Sequence, residues 1–260
     1  MRMRRLLRLT FLLALSLEGL LIAVPASAAW SHTNSHTLGA TNASPSETST
    51  LSFTPAADRL LVVSIYISDG TDGVSSVIGA GVKGTGNNFS LAVEQKTTST
   101  YSTCSMWYGV VGASPSTSLQ VTLSANSTVR VIVDEWSGNN TDQTAVLENT
   151  NSGLRTTNGS SLSTGSVSVT SGNLLMSALT LDQTSPTTIS AGTSPAFTAL
   201  ESVNNKDNSA YRIAAETSDS NTWTWTGTTN RGAAVIAGFK TPVAPTCTPT
   251  MTLMGVGRCG

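Results

Sequence analysis

"LSFTPAADRLLVVSIYIS", residues 51–68, and "GSVSVTSGNLLMSALTLD", residues 165–182, decide how this chain is read. Each is a strand-like run, a short turn, and a second run that opens on Leu-Leu and continues in apolar and β-branched residues. The match extends outward. "WYGVV" at 107–111 aligns with "AYRIA" at 210–214, and "VIVDEW" at 131–136 aligns with "VIAGF" at 235–239 with one residue fewer. The order of elements is kept, so the body is two related β-halves, about residues 35–138 and 163–241. They are expected to pack into one sandwich, with two separate small sandwiches as the alternative. Between them, "SGNNTDQTAVLENTNSGLRTTNGSS" (137–161) is too polar and too long for a tight turn, and residues 139–162 are expected to form a surface crossover.

The remaining runs agree. "NFSLAVEQ", "TCSMWYGVV", "SLQVTLS", "TVRVIVDEW", "AFTALESV", "SAYRIAAE" and "TWTWTG" are short, often alternating, and separated by Gly, Asn, Ser and Pro. No stretch holds a helical period over more than about ten residues. The expected fold class is all-β: an antiparallel β-sandwich, jelly-roll-like, built from two related halves. In "FTPAADRLLVVSIYIS", "WYGVVGASPSTSLQVTLS", "VRVIVDEWSG", "SGNLLMSALTL", "TWTWTG" and "AAVIAGFK" the chain resembles an uncharacterised extracellular β-sandwich module of bacterial secreted and phage-associated proteins. The resemblance covers roughly residues 35–241 and consists of hydrophobic strand patterns. It implies the fold and carries no active site. Within it Glu135 and Gly138 match an "E-x-x-G" that closes a strand, and both are read as structural.

Composition limits the function classes. Only 11% of residues are charged and the formal net charge is -1, so the chain has no basic field for nucleic acid and no acidic field for cations. Ser, Thr, Asn and Gly replace the usual surface charges. The N-terminus, "MRMRRLLR" followed by an apolar run and "PASAAW", reads as a signal peptide over residues 1–28, with the β-body starting near Ala29. That predicts a secreted or extracellular, cell-surface location and no membrane span after cleavage. Residues 242–260 read as a Pro/Thr linker and a short tail in which Cys247 and Cys259 could close a disulfide loop. Cys104 shares a strand face with Met106, Tyr108 and Val110 and reads as a buried hydrophobe.

Candidate site residues are aromatic. Trp223 and Trp225 share one strand face and Thr222, Thr224 and Thr226 the other, which favours a buried indole face with Trp225 near the rim. Trp107 shares its face with Thr103, Ser105 and Gly109, small or polar neighbours that make it the best candidate for an exposed stacking surface. Trp136 closes a strand at the crossover. Trp107, Trp136 and Trp225 are therefore the candidate ligand-binding residues. The two histidines, His32 and His36, are expected in a solvated segment ahead of the body, leaving no imidazole for a nucleophile–base pair. Asp134 and Glu135 are adjacent on a strand and point to opposite faces, unlike a glycosidase pair. Asp69 and Asp72 sit in a glycine-rich loop that lacks a full calcium motif. No catalytic residue, metal or cofactor is expected. The predicted function is a non-catalytic binding or adhesion module for glycan or a cell-surface polymer; the alternative is a structural exoprotein or surface-appendage subunit.

Overall fold

The computed structural model describes residues 29–242 apart from 44, 69–71, 98–101, 183–184 and 193–195. The signal segment and the Cys247–Cys259 pairing lie outside the described residues. The first half contains β1 (Ser31–Ala43), β2 (Ser46–Thr50), β3 (Leu60–Ile67), β4 (Val74–Gly79), β5 (Ser90–Gln95), β6 (Thr103–Val110), β7 (Ser118–Leu123) and β8 (Ser127–Ser137). The second contains β9 (Leu147–Gly159), β10 (Ser161–Ser163), β11 (Val167–Ser168), β12 (Leu174–Leu181), β13 (Thr188–Ala191), β14 (Thr198–Val203), β15 (Asp207–Ile213), β16 (Ser218–Asp219), β17 (Thr222–Thr226) and β18 (Asn230–Phe239).

Both halves are wound the same way. The first forms a five-stranded sheet β1-β8-β3-β6-β5 and a three-stranded sheet β2-β7-β4; the second forms β9-β18-β12-β15-β14 and β10-β17-β13, with β11 and β16 as an added ribbon. All these pairings are antiparallel. In each half the first and last strands lie side by side and the chain passes back and forth between two sheets, except at the β5–β6 and β14–β15 hairpins within the large sheets, which is jelly-roll-like winding. The register repeats as well: Leu60 stands opposite Val110 and Trp136, and Leu174 stands opposite Ile213 and Phe239.

Two sequence expectations change. Each half is its own sandwich, because each closes a separate core between its large and small sheets. The second half begins at Leu147 rather than at 163, since most of the expected crossover is strand β9, paired along β18. β9, "LENTNSGLRTTNG", gives no hydrophobic alternation because it is an edge strand with one face in solvent. Pairing with β18 makes it a strand; its own residues do not announce it. At Gly153 within it, an added Cβ would lie 1.7 Å from the carbonyl oxygen of Ser163.

A third core joins the two jelly rolls. The five-stranded sheets face each other and bury Leu60, Val62, Met106 and Ile132 against Leu174, Met176, Val235 and Phe239. The layers thus run three-stranded, five-stranded, five-stranded, three-stranded. Side chains alternate along a strand, so Leu61, Val63 and Ile65 fill the first roll's own core while Leu60, Val62 and Tyr66 fill the layer between rolls. Every residue of β3, β6 and β12 is buried, which explains apolar runs that do not alternate. Each large apolar side chain so enclosed contributes about 1.5–3 kcal/mol relative to exposure.

Size matching fits the rolls together. Ala233 and Ala237 stand in the second roll at the register positions that Arg130 and Asp134 occupy in the first. Large groups of the first sheet, including Tyr66, Tyr108 and Trp136, share this layer with small ones of the second, including Ala178, Ala233 and Ala237, and with Phe239 and Tyr211, which Tyr108 and Trp136 meet edge-on. Ala237→Leu should overfill this layer and cost about 1–3 kcal/mol. A lowered urea midpoint at unchanged slope is the expected result.

Candidate functional site

The three candidate tryptophans are all inside the protein. Trp107 is 7% exposed, Trp136 1% and Trp225 3%. Trp107 fills the first roll's core beside Val82 and Phe89, Trp225 fills the second roll's core, and Trp136 lies in the layer between rolls. None offers a stacking surface to solvent, which corrects the expectation for all three. The small neighbours of Trp107 are spacers: a Cβ on Gly109 would come 2.6 Å from a methyl of Val82. The favoured reading of "TWTWT" agrees with the structure, since Trp223 and Trp225 are buried and Thr222, Thr224 and Thr226 exposed. Trp223 also donates its indole N–H to Ser177 Oγ at 3.0 Å.

The histidines are not ahead of the body. His32 and His36 belong to β1, an edge strand paired with β8, and a register shift between His32 and Asn34 turns His32 and Ser35 toward the same side. There Ser35 donates to Asp134 Oδ1 at 2.7 Å, while His32 Nε2 lies 3.2 Å from the same oxygen and 3.0 Å from Ser35 Oγ. The His32 ring packs on Trp136 at a centroid distance of 4.9 Å, and Trp136 meets Tyr211 edge-on at 4.8 Å. Serine, histidine and aspartate thus come together, but not as a proton relay. A relay places the acid and the nucleophile on opposite ring nitrogens, and here both face Nε2 while the hydroxyl already donates to the carboxylate. The cluster is a clasp that fastens β1 to β8.

Asp134 and Glu135 point to opposite faces, as their adjacency requires. Glu135 is buried and accepts hydrogen bonds from Ala56 N at 2.7 Å, Thr33 Oγ1 at 2.9 Å and Asn34 Nδ2 at 2.5 Å. Gly138, at φ +89°, lets the chain pass Ala29: a Cβ there would stand 2.6 Å from its carbonyl oxygen. Both residues are structural. Asp134→Ala should cost about 1–3 kcal/mol by stranding the clasp's partners. Amide hydrogen exchange should then accelerate over residues 31–38 while β3 stays protected; equal protection of β1 in the variant would remove the clasp.

A second polar group crosses between the rolls. The Arg130 guanidinium of β8 donates to Asp207 of β15 through Nε, and its Nη1 donates to Ser68 Oγ at 3.0 Å. Thr180 Oγ1 donates to the other Asp207 oxygen at 2.5 Å, and the Tyr66 hydroxyl donates to the Asn208 carbonyl at 3.0 Å. Burial pushes the Asp207 carboxyl above the usual carboxylate range, against the opposing pull of Arg130 and Thr180. Burial likewise pushes the Tyr66 hydroxyl and the Cys104 thiol well up. Cys104 is fully enclosed in this layer, as its strand face predicts. These groups hold the rolls together.

Asp69, half of the calcium candidate, lies outside the described residues. Asp72 is buried, and its backbone carbonyl accepts from Thr103 Oγ1 at 2.8 Å. Among the described residues, no three His, Cys, Asp or Glu side chains gather as metal ligands, and no helix is long and apolar enough to cross a membrane. Sequence reasoning missed the His32–Ser35–Asp134 cluster and the Arg130–Asp207 pair. Both depend on pairings across 77 residues or more, and neither leaves a local signal.

No protein-family model matches the sequence, and no curated protein matches it. Among solved structures, the crystal structure of the STIV MCP is similar at 8% identity, with 81% of this chain and 98% of that chain covered at a TM-score of 0.26. The jelly-roll assignment rests on strand order and register.

Proposed function

We propose that this chain is a secreted, non-catalytic structural module, one block of an extracellular surface assembly. The observation that carries the reading is the distribution of free strand edges. β1 and β9 are 13 residues each and lie at sheet edges, with backbone groups along one side left unpaired by the sheet. Neither contains lysine or proline, the residues that commonly blunt such edges. Two of the three large apolar side chains exposed among the described residues, Leu91 of β5 and Leu154 of β9, also lie on edge strands. A block that spends its aromatics on internal cores and presents neutral hydroxyls and open edges outside is suited to strand-to-strand contact with neighbours.

Light scattering of the chain beginning at Ala29, over a wide concentration range, tests this. The expected result is a mass that rises above one chain with concentration and falls back in Leu154→Lys and Leu91→Lys, both surface changes. A single-chain mass at every concentration would overturn the reading.

A further inference from the structure

β1 is fastened to one neighbour. Ser35 Oγ and His32 Nε2 meet Asp134 Oδ1 at 2.7 and 3.2 Å, and Thr33 Oγ1 and Asn34 Nδ2 donate to Glu135 Oε2 at 2.9 and 2.5 Å. Both carboxylates belong to β8, and the backbone register with β8 runs from Ser31↔Ser137 to Ala43↔Ser127. Outside β8, the described side chains of β1 take one hydrogen bond, from Ser52 N to His36 Nδ1 at 3.2 Å. None of the side chains at residues 31–39 is fully buried. Half-buried Leu38, and Trp30 just ahead of the strand, are the apolar groups that lean on the cores.

Its place in the chain sets β1 apart from the other edge strands. Among the described residues it is joined to the rolls at one end only, through β2. β2 stays with its own sheet, because it pairs with β7 and the Pro45 carbonyl accepts from Leu123 N at 2.7 Å. β9 holds the matching place in the second roll but follows a connection pinned to the first. There Asn139 Nδ2 donates to the Asp58 carbonyl at 3.1 Å, and Gln143 Oε1 accepts from Gly84 N at 3.1 Å. β18, the last strand, is buried along nearly its whole length. β1 is thus the strand that can leave while detaching only half-buried side chains.

We propose that β1 is exchanged between copies of this chain, the β1 of one lying on the β8 of another. This rests on the assembly reading above and names one further contact within it. Any strand that covers β8 buries Asp134 and Glu135, which are 0% and 2% exposed, so it must bring donors to both carboxylates in register. A strand of unrelated sequence would leave two charges unpaired. The β1 of a second copy carries Thr33, Asn34 and Ser35 at the required positions by identity. Exchange keeps every β1–β8 contact and changes only which chain supplies it, so concentration decides between the closed and exchanged forms.

The test uses two chains beginning at Ala29, both with Cys247→Ser and Cys259→Ser, one carrying Ser31→Cys and the other Ser137→Cys. Positions 31 and 137 are register partners, and Cα atoms across such a pair lie about 4.5–5.5 Å apart, within reach of a disulfide. Neither variant can form this link within one chain. Mixed while dilute, concentrated together and oxidised under native conditions, they should give a two-chain band with a 31–137 link identified by peptide mass. Its yield should rise about tenfold per tenfold in concentration while most chains are single. Ser31→Cys mixed with Ser127→Cys, at the far end of β8, should not link. A mass above one chain by light scattering without the 31–137 link, or with 31–127 links as frequent, would overturn the exchange and leave the assembly reading standing. A single-chain mass at every concentration would overturn both.

Discussion

Asp207→Ala should lower the stability of this protein by about 3–5 kcal/mol, because it leaves the Arg130 guanidinium buried in the seam between the rolls without its counter-ion. Arg130 is 7% exposed and Asp207 0%, so neither charge can recover solvent without opening the seam. The double variant Arg130→Met with Asp207→Leu should regain most of that loss, since desolvation of the pair offsets much of its attraction. Urea unfolding of the wild type, both single variants and the double variant yields the coupling energy. Additive single losses would mean that the two side chains do not meet.

The same carboxylate sets a pH dependence. Its folded pKa is raised above the ordinary Asp value, chiefly by burial, so between those two values the folded state binds more protons than the unfolded state. Its contribution therefore favours folding as pH falls through that window and opposes it as pH rises. Asp207→Asn should lack this component, and the difference between the two stability–pH curves isolates it.

Trp136→Ala should cost about 3–5 kcal/mol, the loss expected for a large aromatic removed from a closed core. The indole touches both rolls: Tyr211 comes from the second, and His32 from the clasp on the first. Phe239 occupies the corresponding register position in the second roll, opposite Leu174 as Trp136 is opposite Leu60. Trp136→Phe should accordingly retain more of the stability than Trp136→Ala. Equal losses in the two variants, or a loss under about 1 kcal/mol for alanine, would place this side chain outside a packed core.

How much of this was legible depended on where each strand sits. β3 and β12 announced themselves because both of their faces are buried, and a strand enclosed on two sides keeps an apolar run that solvent would otherwise interrupt. "TWTWT" was legible for the opposite reason, since one face is core and the other solvent. β1 and β9 were not legible. Their residues are largely polar, and what makes them strands is the backbone of β8 and β18 beside them. Reading His32 and His36 as a solvated lead-in followed from that omission, and so did the misplaced boundary at 163. Trp107 misled because Thr103, Ser105 and Gly109 resemble a solvent face. In a sheet covered on both sides, small residues instead make room for a large neighbour.

The claim on which the rest depends is that two jelly rolls close a dry layer between their five-stranded sheets. Cys104 reports on that layer directly, being fully buried within it. In a variant with serine at 247 and 259, the labelling rate of Cys104 by a water-soluble thiol reagent should be set by global unfolding, rising with urea as the unfolded fraction rises. Prompt labelling of the native protein, at a rate near that of the unfolded chain, would mean that the layer is open and that the two rolls do not share a core.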